Sequence, residues 1–336
     1  MRAFVVERHG GPGRLRLREW PDPVPDAGEV LVGVRAIGLN FADGAARAGV
    51  YPRTPKRPFV PGLEVAGVVE ALGAGVDGPP PGTRVIAIPI FGGHAEKVCA
   101  PAANVFPIPG DASFEEAAAF GVAFLTADHA LREAGRVRAG DRVLVSAAMG
   151  GVGTAILQLA RPCGVRLLAV SSTEEKRRGA LEMGAEAAAG YGEWRAVARE
   201  RFGKLDVVLD SVGGAFFRTA WRLLDRGGRY VLYGFASAFS PRGFSPFRAV
   251  REILLAGTVL PAALIASNRT LCGFNLSLVP RRAGDLRVAT DRLSTAWREG
   301  TIRPLVGLRL PFERLPEAHA ALTSRATTGK IVVTVG

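Results

Sequence analysis

Between Ala147 and Gly153 the chain reads AAMGGVG, with three glycines among its last four residues. Such a turn can hold a pyrophosphate. Glycines let the backbone turn tightly and let phosphate oxygens approach where a Cβ would obstruct them. A helix starting there adds unpaired N–H groups and the positive end of its dipole. From Ala148 the spacing is A-x-G-G-x-G, with alanine at the first position of the G-x-G-x-x-G dinucleotide fingerprint. A tight turn joining any strand to any helix would read the same way.

The next residues that bear on the chemistry lie about twenty positions on. A site for NAD places Asp or Glu there to bind the ribose 2′-hydroxyl. This chain has Ser171 and Ser172, followed by Lys176, Arg177 and Arg178. Hydroxyls and cations accept a 2′-phosphate that a carboxylate would repel, so the residues favour NADP(H). The Lys-Arg run also reads as a solvated helix face.

These residues need a frame. Val143 to Val145 reads as a strand, and Ile156, Leu157, Leu159 and Ala160 give the glycine turn a helix. Val165 to Val170 reads as a second buried strand and Glu174 to Met183 as a second helix. Strand, helix and strand within about 30 residues is the βαβ unit that the fingerprint requires. Pro162, with Gly164 as a C′ residue, shortens the first helix at the end away from the turn.

Met1 to about Val122 reads as mostly β, with strands at Met1 to Val6, Leu15 to Glu19 and Glu29 to Ile37 between proline-rich turns. A helix interrupts at Asn40 to Ala48. Ser113 and Glu116 form a capping box before a helical stretch. Strands and helices alternate from there to about Ser267, and short β segments return, ending at Lys330 to Val335. The order predicts an α/β protein in which a doubly wound domain is inserted into a barrel-like β domain. The expected division is 1–122, completed by 277–336, and 123–276.

The 336 residues suffice for two domains, and 48% hydrophobic with 22% charged residues is an ordinary globular balance. The net charge of +12 is spread without a basic run, which argues against a specific nucleic-acid surface. Cys99, Cys163 and Cys272 are far apart and form no C-x-x-C, so reduced thiols in a cytoplasmic protein are expected. His9, His94, His129 and His319 share no ligand-like spacing, and a lone His94 reads as a satisfied structural histidine. The N-terminal MRAFVVERHG reads as a strand, not a signal peptide. Ile253 to Ala266 is too short to span a bilayer.

Beyond the glycine turn, AIGLNFADGAARAGVYP (Ala36 to Pro52), PGLEVAGVV (Pro61 to Val69), GGHAEKV (Gly92 to Val98), DVVLDSVGG (Asp206 to Gly214) and SRATTGKIVV stand along the chain. With these the whole chain resembles the medium-chain dehydrogenase/reductase superfamily, in its zinc-free quinone oxidoreductase branch. NRTLCGFNL (Asn268 to Leu276) resembles the synaptic vesicle membrane protein homologues within it. The resemblance implies a GroES-like β-barrel catalytic domain plus a Rossmann NADP-binding domain. Zinc alcohol dehydrogenases carry a catalytic cysteine where this chain has Asn40, and G-H-E where it has Gly62, Leu63 and Glu64. No metal is therefore expected.

The resemblance further implies cofactor contacts. Asn40 and Thr126 would lie near the nicotinamide. Met149, Gly150, Gly151, Val152 and Gly153 would hold the pyrophosphate. Ser171, Ser172, Lys176, Tyr191 and Arg325 would surround the 2′-phosphate and adenosine. Gly234, Phe235 and Ser237 would follow the fifth strand, and Phe274 and Asn275 would offer backbone contacts to the carboxamide. Tyr191 also reads as a loop aromatic packed on the domain edge, and Arg325 as a surface charge. Tyr51 and Asn40 are the catalytic candidates. The Tyr51 phenol could bond a carbonyl or donate a proton, or merely wall the cleft. Ala45 replaces a second family tyrosine.

The implied activity is NADPH-dependent reduction of quinones or α,β-unsaturated carbonyl compounds, with a small molecule as the substrate partner. An enoyl-thioester reductase, with a basic rim from Arg242, Arg248 and Arg251, is the enzymatic alternative. An NADPH-binding protein with little turnover and a nucleic-acid or membrane-associated role is the alternative of another class. A homodimer is expected, without membrane insertion.

Overall fold

The computed structural model describes residues 1–241, 243–279 and 285–336. They form two compact units. The first comprises Met1–Ala123, Ser240–Phe244 and Arg281–Gly336, and the second Phe124–Phe239 and Ser245–Pro280. The architecture is the expected pairing of a GroES-like β unit with a Rossmann unit.

In the second unit, six parallel strands carry the site. Taken along the sequence they are Arg142–Val145, Arg166–Val170, Ala187–Ala189, Leu205–Asp210, Leu224–Leu232 and Thr270–Gly273. In space the third, second, first, fourth, fifth and sixth follow one another, which is the doubly wound order. Val143, Leu144 and Val145 are fully buried, as are Val207, Val208 and Leu209 beside them. Such unbroken apolar runs are what a sheet covered by helices on both faces demands. The strand order reverses between the first and fourth strands, so the ligand crevice opens at their carboxyl ends.

The glycine-turn helix spans Gly151–Ala160 and passes into a tight turn, Arg161–Cys163, that includes Pro162. Gly164 then closes it with φ 64°, a left-handed conformation in which a Cβ is costly. The shortening expected from Pro162 is present and leaves the phosphate end untouched.

In the first unit a seven-stranded sheet is built on the long strand Glu29–Gly38, which pairs antiparallel with Val65–Leu72, Lys97–Pro101 and Lys330–Thr334. Its core gathers Val30, Val32, Ile37, Val65, Phe312 and Ile331. Helix Phe41–Ala48 follows the long strand, and helix Leu315–Ser324 precedes the last. The Ser113 capping box is made: the hydroxyl accepts from Glu116 N at 3.1 Å, and Glu116 Oε2 accepts from Ser113 N at 3.1 Å.

Candidate functional site

The carboxyl ends of the first and fourth Rossmann strands are tied by one buried carboxylate. Asp210 accepts from the Ser146 hydroxyl at 2.7 Å, the Tyr230 hydroxyl at 2.7 Å, and the amides of Val212 and Gly213 at 2.7 and 3.0 Å. Ser146 Oγ in turn accepts from Ser211 N at 2.9 Å. Burial pushes the Asp210 pKa up against the pull of these four donors. The knot fixes both lips of the crevice. Asp210 stands inside the DVVLDSVGG segment, but only the three-dimensional pairing reveals its task.

Above it lies the glycine turn. Gly150 caps the helix, so the amides of Gly151, Val152 and Gly153 form the first turn, where N–H groups lack intrahelical acceptors. A Cβ on Gly153 would lie 2.5 Å from the carbonyl oxygens of Ala147 and Ala148, which only glycine avoids. Ala147 holds φ 47°, an unusual conformation for a residue with a side chain. Its amide donates to the Tyr191 hydroxyl at 3.2 Å. Tyr191 thus braces the turn from a loop, while its ring meets Phe216 edge-on at 6.0 Å. Met149 is buried with its methyl directed at Gly179.

At the end of the second strand Ser171 is 2% exposed, and its hydroxyl has no hydrogen-bond partner among the described residues. Ser172 is exposed. The Thr173 hydroxyl caps the following helix by accepting from Lys176 N at 3.3 Å. The three cations that follow separate by environment. Arg177 pairs with Glu174, and Arg178 with Glu182 at 3.9 Å. Lys176 is 8% exposed, and burial pulls its pKa down. So two of the three are surface pairs, and one is drawn in beside the strand end.

Further along the carboxyl edge, Ser237 is buried and its hydroxyl also lacks a hydrogen-bond partner among the described residues. Arg248 Nε donates to Ser237 O at 2.8 Å, and Arg251 pairs with Glu252 at 2.9 Å. Of the three arginines of the expected basic rim, Arg248 and Arg251 thus have partners within the unit; Arg242 lies outside the described residues. Gly234 and Phe235 follow the fifth strand as expected. Phe274 lies 4.5 Å from the His129 ring and stacks at 6.1 Å on Tyr233, with its amide donating to Leu232 O at 3.1 Å. Asn275 Oδ1 accepts from Ser277 N at 3.1 Å. Thr126 is buried on the helix Gly121–His129.

These features fit a dinucleotide phosphate: a glycine cradle, two orphaned buried hydroxyls and a sheltered lysine.

The first unit holds the other candidates. Asn40 Nδ2 donates to Gly38 O at 3.2 Å and Glu64 Oε2 at 3.0 Å, while its Oδ1 accepts from Lys330 Nζ at 2.7 Å. Lys330 Nζ also reaches Glu64 Oε2 at 2.7 Å and Leu39 O at 2.8 Å. Glu64 Oε1 accepts from Val122 N at 2.8 Å. An ammonium thus neutralises the carboxylate that follows Leu63. Tyr51 is half-buried, its ring edge-on to Phe91 at 6.5 Å. Arg325 is exposed at the end of helix Leu315–Ser324, with φ 61°.

His94 is neither lone nor satisfied by the protein. Its ring packs edge-on against His319 at 5.1 Å, and its Nε2 lies 4.0 Å from Asp43 Oδ2. Both rings, with Asp43 and Arg47, are fully buried, and neither ring nitrogen of either histidine has a hydrogen-bond partner among the described residues. The long stretch of chain between the histidines hid this pairing from spacing arguments. Burial and the nearby Arg47 charge push the His94 pKa down to about 3 and that of His319 well below its ordinary value. Asp43 is pushed up to about 7, chiefly by burial. A buried neutral histidine contributes stability above pH 6.5 that is lost as pH falls, whereas Asp43 opposes that trend between its ordinary value and about 7. Urea melts at pH 7 and 4.5 should therefore show a loss for the wild type that His94→Gln reduces by up to about 2–3 kcal/mol. Equal losses in both proteins would refute the assignment.

The parallel sheet with its glycine turn and the β unit that carries Asn40 and Glu64 define a dehydrogenase/reductase architecture. The chain belongs to the medium-chain dehydrogenase/reductase family, in its quinone oxidoreductase group. Residues 26–110 match the alcohol dehydrogenase GroES-like domain, and residues 183–333 match the zinc-binding dehydrogenase domain. The human synaptic vesicle membrane protein VAT-1 homolog-like is 35% identical over 341 residues, covering 100% of this chain and 81% of that relative. A quinone oxidoreductase from Lama guanicoe is 31% identical, covering 99% of this chain and 97% of its own. The quinone oxidoreductase of Thermus thermophilus, solved alone and with NADPH, superimposes with a TM-score of 0.83 at 39% identity, covering 99% of this chain and 100% of that one.

Proposed function

We propose that this protein reduces quinones or α,β-unsaturated carbonyl compounds with NADPH and without zinc. As a member of its family it is an NADPH-dependent oxidoreductase; the choice of acceptor is the proposal. The observation that carries the cofactor assignment is the orphaned Ser171 hydroxyl with Lys176 sheltered beside the same strand end, where a site for NAD has an acid.

Bound NADPH supplies a hydride. The protein's residues do the rest by holding and orienting. The first-turn amides of Gly151, Val152 and Gly153 take the pyrophosphate, while Ser171, Ser172 and Lys176 take the 2′-phosphate. Ser237 and the carbonyl of Phe274 serve the nicotinamide side. Asn40, clamped by Glu64 and Lys330, is held as a fixed dipole, and Tyr51 or solvent returns the proton. Quinones, enones and enoyl thioesters, assayed side by side by NADPH absorbance, test the reading. Turnover confined to enoyl thioesters would replace it.

Zinc independence rests on Asn40 and Leu63 at the lost ligand positions and on Lys330, whose ammonium already satisfies Glu64. Purified protein should carry no stoichiometric zinc, and a chelator should leave its rate unchanged. Zinc lost together with activity would sink this proposal.

A homodimer is also proposed. Among the described residues, strand Thr270–Gly273 ends the Rossmann sheet with one neighbour. Nearby in sequence, Phe247 is 91% exposed, Leu254 73% and Ile265 80%, on helices Pro246–Ala256 and Pro261–Ser267. An open edge next to apolar helices is the surface a second copy covers in two-fold assemblies. No single helix among the described residues is long and apolar enough to cross a membrane. Sedimentation should give a dimer; a concentration-independent monomer would count against it. The setting we propose is cytoplasmic, in keeping with three free cysteines.

A further inference from the structure

At the amino ends of the Rossmann strands the second unit has a pocket of about 260 Å³ that the reaction does not use. Arg195, Arg199, Lys204, Thr219 and Arg222 line it, with Leu223 as an apolar wall and no carboxylate. Arg195 and Arg199 are one turn apart on the helix that begins at Trp194, and Thr219 and Arg222 lie on helix Ala215–Leu223. Lys204 immediately precedes strand Leu205–Asp210. The glycine turn, Ser171 and the Asp210 loop all follow strand carboxyl ends, so the pocket and the nucleotide crevice are at opposite edges of one sheet.

Several cations of this unit have acids: Arg142 pairs with Asp206 and Asp225, Arg166 with Glu186, and Arg229 with Asp141. Among the described residues the four cations of the pocket make no ion pair. Lys204 Nζ donates to Arg222 O at 3.4 Å, and the Thr219 hydroxyl donates to Ala215 O at 3.0 Å. Two helices end at the pocket, each bringing roughly half a negative charge. Set against four full positive charges, that leaves an excess of about three. Guanidinium forks match phosphate oxygens two at a time, and a pocket of this charge suits more than one phosphoryl group.

We propose that this pocket binds a diphosphate group, free or as the terminus of a small phosphorylated metabolite, independently of the cofactor. The probe is inorganic pyrophosphate, titrated calorimetrically into protein first shown to be saturated with NADPH. Saturable 1:1 binding is expected, at an affinity that cofactor changes by less than about twofold. Arg195→Gln with Arg222→Gln should weaken it at least about tenfold while leaving NADPH affinity and turnover unchanged. Adenosine diphosphate in place of pyrophosphate distinguishes a terminal diphosphate from the free ion. Absence of saturable binding, displacement by NADPH, or equal binding by the double variant would overturn the proposal. Failure to bind NADPH in the first step would count instead against the cofactor assignment.

Discussion

Ser171→Asp combined with Lys176→Ala should reverse or abolish a preference of at least about tenfold for NADPH over NADH, the ratio that ~1.4 kcal/mol represents. Wild-type Ser171 is 2% exposed and its hydroxyl has no hydrogen-bond partner among the described residues, and a buried polar group without one is costly. A 2′-phosphate would relieve that cost and add charge-assisted hydrogen bonds of about 1.5–3 kcal/mol each. Lys176 is held partly desolvated, which strengthens its pull on a phosphate. Aspartate at position 171 would repel the phosphate and accept from the ribose hydroxyl of NADH. Titrating both cofactors against both proteins decides it, with circular dichroism confirming the fold. Equal wild-type affinity for NADH and NADPH would mean that Lys176 serves the helix face, as Arg177 and Arg178 do through Glu174 and Glu182.

The features legible in the sequence were those that local physics writes. The glycine turn, the strand before it, the Ser113 capping box and the helix end at Pro162 each depend on residues within a few positions of one another. The Lys-Arg run was legible only as composition, because which cation is sheltered depends on where the helix meets the strand. Tertiary pairings were hidden for a different reason. His94 and His319 come from a loop and a distant helix, and Asp210 finds Ser146 across 64 positions. Asn40 and Lys330 stand 290 positions apart, and neither residue type announces the other. Family resemblance supplied Asn40 as a site residue. Its full commitment to Gly38, Glu64 and Lys330 exists only in the folded chain.

That commitment makes Lys330→Met the substitution with the largest expected effect on stability. Glu64 is fully buried and the Lys330 side chain is 6% exposed, so neither charge has water to fall back on. Removing one partner of a buried pair typically costs about 3–5 kcal/mol, because the remaining charge is left uncompensated. Asn40 Nδ2 and Val122 N would still donate to Glu64, but two neutral donors do not replace an ammonium at 2.7 Å. The loss should therefore appear as a lower urea midpoint at pH 7 with an unchanged slope. Adding Glu64→Gln to Lys330→Met should recover part of the loss, since an amide needs no counter-charge, and the non-additivity of the cycle measures the pair. A Lys330→Met protein within about 1 kcal/mol of wild type, the range of an exposed pair, would show that this network does not hold Asn40 in place.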